Sequence, residues 1–157
     1  MWRESQSWSR TCEAAPVTIR RLPALDPAIR EAITHPLAEA STAKSFAFAP
    51  RFLALGLDRD GMIDGGLIAQ LYWDWMYVEI LAVPERLRGQ GLGRELLERA
   101  ENIARAEGCC GAWVDTYSFQ SPGFYERLGY RPFGRLPFYP GTEERIFLAK
   151  PLDEEAE

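Results

Sequence analysis

Seven residues, Arg88-Gly89-Gln90-Gly91-Leu92-Gly93-Arg94, join a strand-like run to an amphipathic helix, and no other stretch narrows the choice of fold so far. The run before them, Tyr77 to Val83, is β-branched and aromatic enough to extend as a strand. After them, Leu92, Leu96, Leu97, Ala100, Ile103 and Ala104 recur at helical spacing on one face. A strand that passes through glycines into a helix leaves the amides of the first helical turn without intrahelical acceptors. Those amides carry partial positive charge, and phosphate groups settle on them. Glycines at 89, 91 and 93 allow close backbone approach and conformations that a Cβ forbids. Arg88 and Arg94 add guanidinium forks that match phosphate oxygens. The stretch therefore predicts a pyrophosphate cradle, against the plainer reading of a glycine-rich turn before a surface helix.

Spacing separates the known phosphate motifs. A P-loop requires Gly-x-x-x-x-Gly-Lys-Ser/Thr, and no lysine follows these glycines. A dinucleotide fingerprint requires Gly-x-Gly-x-x-Gly, but from Gly89 and Gly91 the third position falls on Arg94. What remains is Arg-x-x-Gly-x-Gly, filled by Arg88, Gly91 and Gly93. In this the chain resembles the GNAT family of N-acetyltransferases, whose motif of that form binds the pyrophosphate of an acyl-CoA. Leu81-Ala82-Val83 resembles the strand that leads into the family's motif. Phe124-Tyr125-Glu126-Arg127-Leu128-Gly129-Tyr130 is similar to its short fourth helix. The resemblance covers about residues 17 to 152 and is strongest from Gly65 to Pro151.

The resemblance implies an acetyl-CoA-dependent N-acetyltransferase that moves an acetyl group to a primary amine of a small molecule or peptide by direct transfer in a ternary complex. Leu81, Ala82, Val83, Arg88, Gly89, Gln90, Gly91, Leu92, Gly93, Arg94 and Ser118 are its expected contacts to acetyl-CoA. The oxyanion falls to backbone amides near Leu81 to Val83. Tyr125 occupies the place of the family's general acid, and packing of the short helix is the plainer reading of that tyrosine. Ser118 stands where the family usually has an asparagine. Glu79 is the expected base, since an apolar strand would favour proton uptake by its carboxylate. By period-two parity it shares a face with Tyr77, Leu81 and Val83. The family often carries its glutamate two residues earlier, at Tyr77 here, and Glu79 could instead pair with an arginine or with solvent at a sheet edge. The competing reading of the whole chain is a non-catalytic CoA-binding sensor or interaction module.

The 157 residues suit a single domain over 17–152, and 46% hydrophobic with 12% aromatic residues suits a packed core. A formal charge of −5 without a basic stripe argues against nucleic acid as the partner. No uninterrupted apolar run is long enough to span a membrane. Residues 1–16 lack an apolar leader segment and read as a poorly ordered extension, with Trp2 and Trp8 as candidate docking residues. Residues 153–157 read as an acidic tail. Cys12, Cys109 and Cys110 make no disulfide framework, and Cys109 and Cys110 read as small core fillers in a reducing, cytoplasmic protein. No metal-ligand spacing appears. The lone histidine, His35, reads as structural.

The expected architecture is an α/β fold of the α+β type. It has a mixed, mostly antiparallel sheet of about seven strands flanked by about four helices. Val17 to Leu22 reads as the first strand. Asp26-Pro27 starts a helix through about Thr34. Strands follow over Arg51 to Leu57 and Met62 to Trp73, with Gly65-Gly66 marking a bulge. Gly108 stops the long helix, Ala112 to Thr116 is the next strand, and Tyr130 to Leu136 with Glu144 to Leu152 forms a last hairpin. Tyr72, Trp73, Trp75 and Tyr77, together with Asp74, read either as a pocket for a cationic amine or as core and homodimer contacts.

Overall fold

A computed structural model describes residues 17–153; the expected extension over 1–16 and residues 154–157 of the acidic tail lie outside the described residues. The chain divides into two compact units, Met1–Leu37 and Ala38–Glu157, so the single domain expected over 17–152 runs across that division. In the first unit, Val17 to Leu22 is not a strand. Val17 and Ile19 are fully exposed, and no neighbouring strand supplies the hydrogen bonds that would make an extended segment a strand. Helix α1, Pro27–Ala43, begins where the sequence signals it, with the Ile29 amide donating to Asp26 Oδ1 at 2.8 Å. It continues nine residues beyond the expected end, through Pro36.

The second unit holds a six-stranded sheet in the order β1-β2-β3-β4-β6-β5. Its strands are β1 (Arg51–Arg59), β2 (Met62–Tyr72), β3 (Trp75–Ala82), β4 (Gly111–Tyr117), β5 (Arg131–Pro137) and β6 (Glu144–Pro151). All neighbours are antiparallel except β3 and β4. The parallel pair is connected through α2 (Leu92–Ala106), since parallel strands need a crossover. The expected bulge exists: Gly56 pairs Gly66 but Asp58 pairs Ile63, so Asp64 and Gly65 stand opposite Leu57 alone and β2 carries one extra residue. Six strands and three α-helices among the described residues, α3 (Pro122–Arg127) being the third, stand against the expected seven and four. The missing strand is Val17 to Leu22. None of the described helices is long and apolar enough to cross a membrane.

One face of the sheet forms the core. Leu67, Ala69, Leu71, Met76, Val78, Ala112, Val114, Ile146 and Leu148 pack there against Leu96, Leu97, Ala100 and Ala104 of α2. Cys109 joins them, as the sequence suggests, with its thiol pushed up by burial. Gly108 ends α2 in the left-handed region, and the Cys109 amide turns back to the Ala104 carbonyl at 2.9 Å.

One charge is buried in this core. Glu101 of α2 is 2% exposed, accepts the Tyr130 hydroxyl at 3.0 Å and pairs with Lys150 Nζ of β6 at 2.7 Å. Tyr130, Lys150 and, at 3.7 Å, Arg105 of α2 satisfy the carboxylate, and burial pushes the Tyr130 phenol up so that it stays a donor. Removing one member of such a pair strands the others without partners, which costs more than the pair itself contributes. Glu101→Ala is expected to lower unfolding free energy by about 3 kcal/mol, read from urea midpoints. A change within about 0.5 kcal/mol would mean that water replaces the carboxylate.

Candidate active site

The pairing of β3 with β4 ends early. It runs from Trp75↔Gly111 to Val78↔Val114, whereas β3 continues to Ala82 and β4 to Tyr117. The cause lies on the other edge of β3. Ile68 of β2 pairs Ile80, but Ala69 pairs Val78, so Glu79 is an extra residue at a bulge. A bulge bends and twists its strand, and past it the edge of β3 facing β4 has no strand partner from Glu79 to Ala82. The sheet opens into a cleft at its middle.

The bulge also overturns the parity expected for Glu79. Met76 and Val78 face the core before it, and Leu81 and Val83 pack on the core after it. Inward positions thus change from even to odd. Glu79 shares its face with Tyr77 but not with Leu81 and Val83. It is exposed rather than set in an apolar strand, and its Oε2 accepts Gln70 Nε2 at 2.8 Å. Gln70 in turn accepts the Tyr72 hydroxyl.

Tyr125 stands on the core side. Pro122 sits in the first turn of α3 and brings the Tyr125 ring edge-on to Phe124 and Tyr130, at 5.0 and 5.9 Å between centroids. The residue is 8% exposed, yet its hydroxyl has no hydrogen-bond partner among the described residues. Because no buried polar side-chain atom among the described residues goes unsatisfied, that oxygen must reach solvent. Burial, joined by the charge of Asp115 on β4, pushes the phenol up to about 12.

The glycines of the turn are not alike. Gly89 and Gly91 have φ of 76° and 80°, in the left-handed region, with open space where a Cβ would stand. They answer to backbone conformation. Gly93 is helical, and a Cβ there would make ordinary contact with the Phe124 ring at 3.4 Å, so neither conformation nor space demands glycine at that position. Gly91 caps α2 without a side-chain hydrogen bond, and the first helical bond runs from the Glu95 amide to Gly91 at 3.0 Å. The amides of Leu92, Gly93 and Arg94 are left as donors facing outward from the helix start. Arg88 is anchored beside them, its Nε donating to the Val83 carbonyl at 3.1 Å. Arg94 pairs with Glu98 along the helix at 2.6 Å. An uncapped helix start, two arginines and an unpaired strand edge are a donor set that fits a diphosphate joined to an amide-bearing arm.

Ser118 is committed elsewhere. Its hydroxyl bonds Glu143 and accepts the Glu144 amide at 2.9 Å, tying the end of β4 to the start of β6. The aromatic set around Asp74 separates in two. Tyr72 and Trp73 gather on Phe48, at 5.6 and 6.0 Å, while Tyr77 stacks on Trp113 at 4.0 Å. The sequence pointed to Tyr77 but not to its partner Asp115, because a contact between parallel strands leaves no local spacing to read.

Comparisons with known proteins agree with this geometry. A family model described as the acetyltransferase (GNAT) family matches residues 20–130. Blasticidin-S acetyltransferase of Streptomyces morookaense is 40% identical over 127 residues, covering 80% of this chain and 89% of that protein. A crystal structure from Agrobacterium tumefaciens superposes with a TM-score of 0.80 at 32% identity, over 86% of this chain and 99% of its own. The crystal structure of an acetyltransferase from Bacillus cereus ATCC 14579 gives 0.73 at 26% identity, over 84% and 97%.

The high Tyr125 value links to stability. Between the ordinary phenol value, about 10, and about 12 the folded protein keeps a proton that the unfolded chain has released. The contribution is therefore full below about pH 10 and is lost as pH rises through the folded value. Urea midpoints at pH 9 and pH 11 should show Tyr125→Phe losing roughly 1 kcal/mol less than the parent across that interval. Equal losses would mean that the phenol titrates normally.

Proposed function

This chain belongs to the acetyltransferase (GNAT) family, and we propose that it moves an acetyl group from acetyl-CoA directly to a primary amine of a small molecule or peptide. The observation that carries this reading is the cleft beyond Val78 and Val114, with Glu79 on one face and the free Tyr125 hydroxyl on the other. Amides of the α2 start with Arg88 hold the diphosphate, and the unpaired edge of β3 from Leu81 holds the arm. Bound acetyl-CoA supplies an acyl group activated as a thioester.

The chain's own groups then have three tasks. Glu79, exposed to the entering amine, takes its proton so that nitrogen attacks as a neutral nucleophile. Backbone amides near Leu81 to Val83 donate to the carbonyl oxygen as it gains charge, where one such donor contributes ~3–4 kcal/mol. Tyr125 donates a hydrogen bond to the departing sulfur. A phenol at about 12 lies above a thiol near ~8.5, so full proton transfer to a finished thiolate is uphill. Tyr125 acts as a donor that is protonated at every working pH and stabilises charge on sulfur while the bond breaks. The balance is as follows: the ammonium gives one proton to Glu79 and a second to solvent as the amide forms, and the sulfur leaves as a thiolate held by Tyr125 and takes its proton from solvent. No step needs a covalent acyl-enzyme, and Cys109 is buried in the core.

The relative's name makes blasticidin S the first acceptor to try. The decisive assay follows thiol release from acetyl-CoA with blasticidin S, streptothricin, an aminoglycoside, spermidine and a peptide with a free N-terminus. Release with at least one amine is expected, and Tyr125→Phe should lower kcat roughly a hundredfold without weakening acetyl-CoA binding. Binding without release for any amine would favour a non-catalytic CoA module instead. Full turnover by Tyr125→Phe would remove Tyr125 from the chemistry.

A further inference from the structure

The face that carries Glu79 also carries a chain of three groups with no part in the chemistry above. Arg145 of β6 grips Asp115 Oδ2 with Nε and Nη2, each at 2.7 Å. Asp115 Oδ1 accepts the Tyr77 hydroxyl at 2.9 Å. Val114 is the last β4 residue paired with β3, so this bond spans the two strands where their backbone bonds stop. Each member is braced. The Asp115 side chain is 9% exposed, the Arg145 guanidinium lies 5.5 Å from the rings of Tyr139 and Phe147, and Tyr77 stacks flat on Trp113.

The direction of the chain matters. Arg145 has only protons to give, and both Asp115 oxygens act as acceptors, Oδ2 toward Arg145 and Oδ1 toward Tyr77. Tyr77 has one proton, and Asp115 holds it. Burial, then the bond and charge of Asp115, push the phenol up to about 12, with the Glu79 charge adding to the effect. What Tyr77 has left to offer is an oxygen with lone pairs and no hydrogen. Glu79 lies on the same face two residues further along β3, its carboxylate bonded to Gln70 on the β2 side and also an acceptor.

We propose that Tyr77 Oη and Glu79 together form an acceptor-only seat for the substrate's amino group, with Asp115 and Arg145 as positioning residues that keep the Tyr77 proton turned away. This rests on the acetyl-transfer reading. One N–H of the incoming ammonium faces Glu79, which takes the proton. A second faces Tyr77 Oη, which holds the nitrogen in place while the first proton leaves. A hydroxyl acceptor has a single hydrogen and cannot serve both positions. The seat therefore selects nitrogen over oxygen.

The test is steady-state kinetics with the panel amine that the wild type acetylates fastest, alongside calorimetric binding of acetyl-CoA. Tyr77→Phe is expected to raise the amine KM about tenfold while acetyl-CoA affinity stays within about twofold. Asp115→Asn is expected to do worse, since an amide at 115 can donate to Tyr77 and turn the phenol proton into the cleft. Adding Tyr77→Phe to Asp115→Asn should then relieve the excess defect and return the enzyme to the Tyr77→Phe level. A structural brace would not behave so, because losing both members would be at least as harmful as losing one. An unchanged amine KM and kcat in Tyr77→Phe overturns the seat, and an unrelieved double variant overturns the positioning role. A wild type that acetylates no amine in the panel overturns this inference and the acetyl-transfer reading together; transfer by the wild type with a silent Tyr77→Phe overturns this inference alone.

Discussion

A single extra residue in β3 governs the site. With Glu79 unpaired between Val78 and Ile80, the strand bends, its pairing with β4 stops at Val78 and Val114, and a sheet that could have closed stays open. The core tolerates the interruption because inward side chains change parity at the same point, from Met76 and Val78 to Leu81 and Val83. The apolar face remains continuous under α2 while the backbone edge above it becomes available. Burial and opening are thus reconciled within eight residues of strand.

The helix start depends on that edge. Gly91 places the first turn of α2 without a side-chain cap, and Arg88 reaches back to the Val83 carbonyl just beyond β3. Donors of the helix and of the strand edge therefore form one continuous surface. Tyr125 is brought to the same cleft from the other side, with the neighbouring Phe124 ring lying over Gly93 at the start of α2. Asp115 acts on both tyrosines of the cleft, by a hydrogen bond to Tyr77 and by its charge on Tyr125.

Local signals were the legible ones. The glycine turn, the apolar stripe of α2, the Asp26 cap, the Gly65-Gly66 bulge and the last hairpin each rest on a few neighbouring residues, and each appears in the structure. Long-range effects were hidden. Nothing in the spacing of Tyr77, Glu79 and Leu81 reveals a bulge that depends on β2, so simple alternation puts Glu79 on the wrong face. Val17 to Leu22 has the composition of a strand but lacks a pairing partner, and composition alone does not supply one. Ser118 has the right chemistry for a ligand arm, yet Glu143 and the Glu144 amide claim it from 25 and 26 residues away.

The central claim is that the opened strand edge and the uncapped helix start together receive the diphosphate and arm of an acyl carrier. Isothermal titration of the purified chain with coenzyme A, repeated on Gly91→Val, tests it most directly. The account predicts saturable binding by the parent and roughly five- to thirtyfold weaker binding by the variant, since a β-branched residue in the left-handed region costs roughly 1–2 kcal/mol. Absence of heat with the parent, or equal affinity in the two proteins, would contradict it.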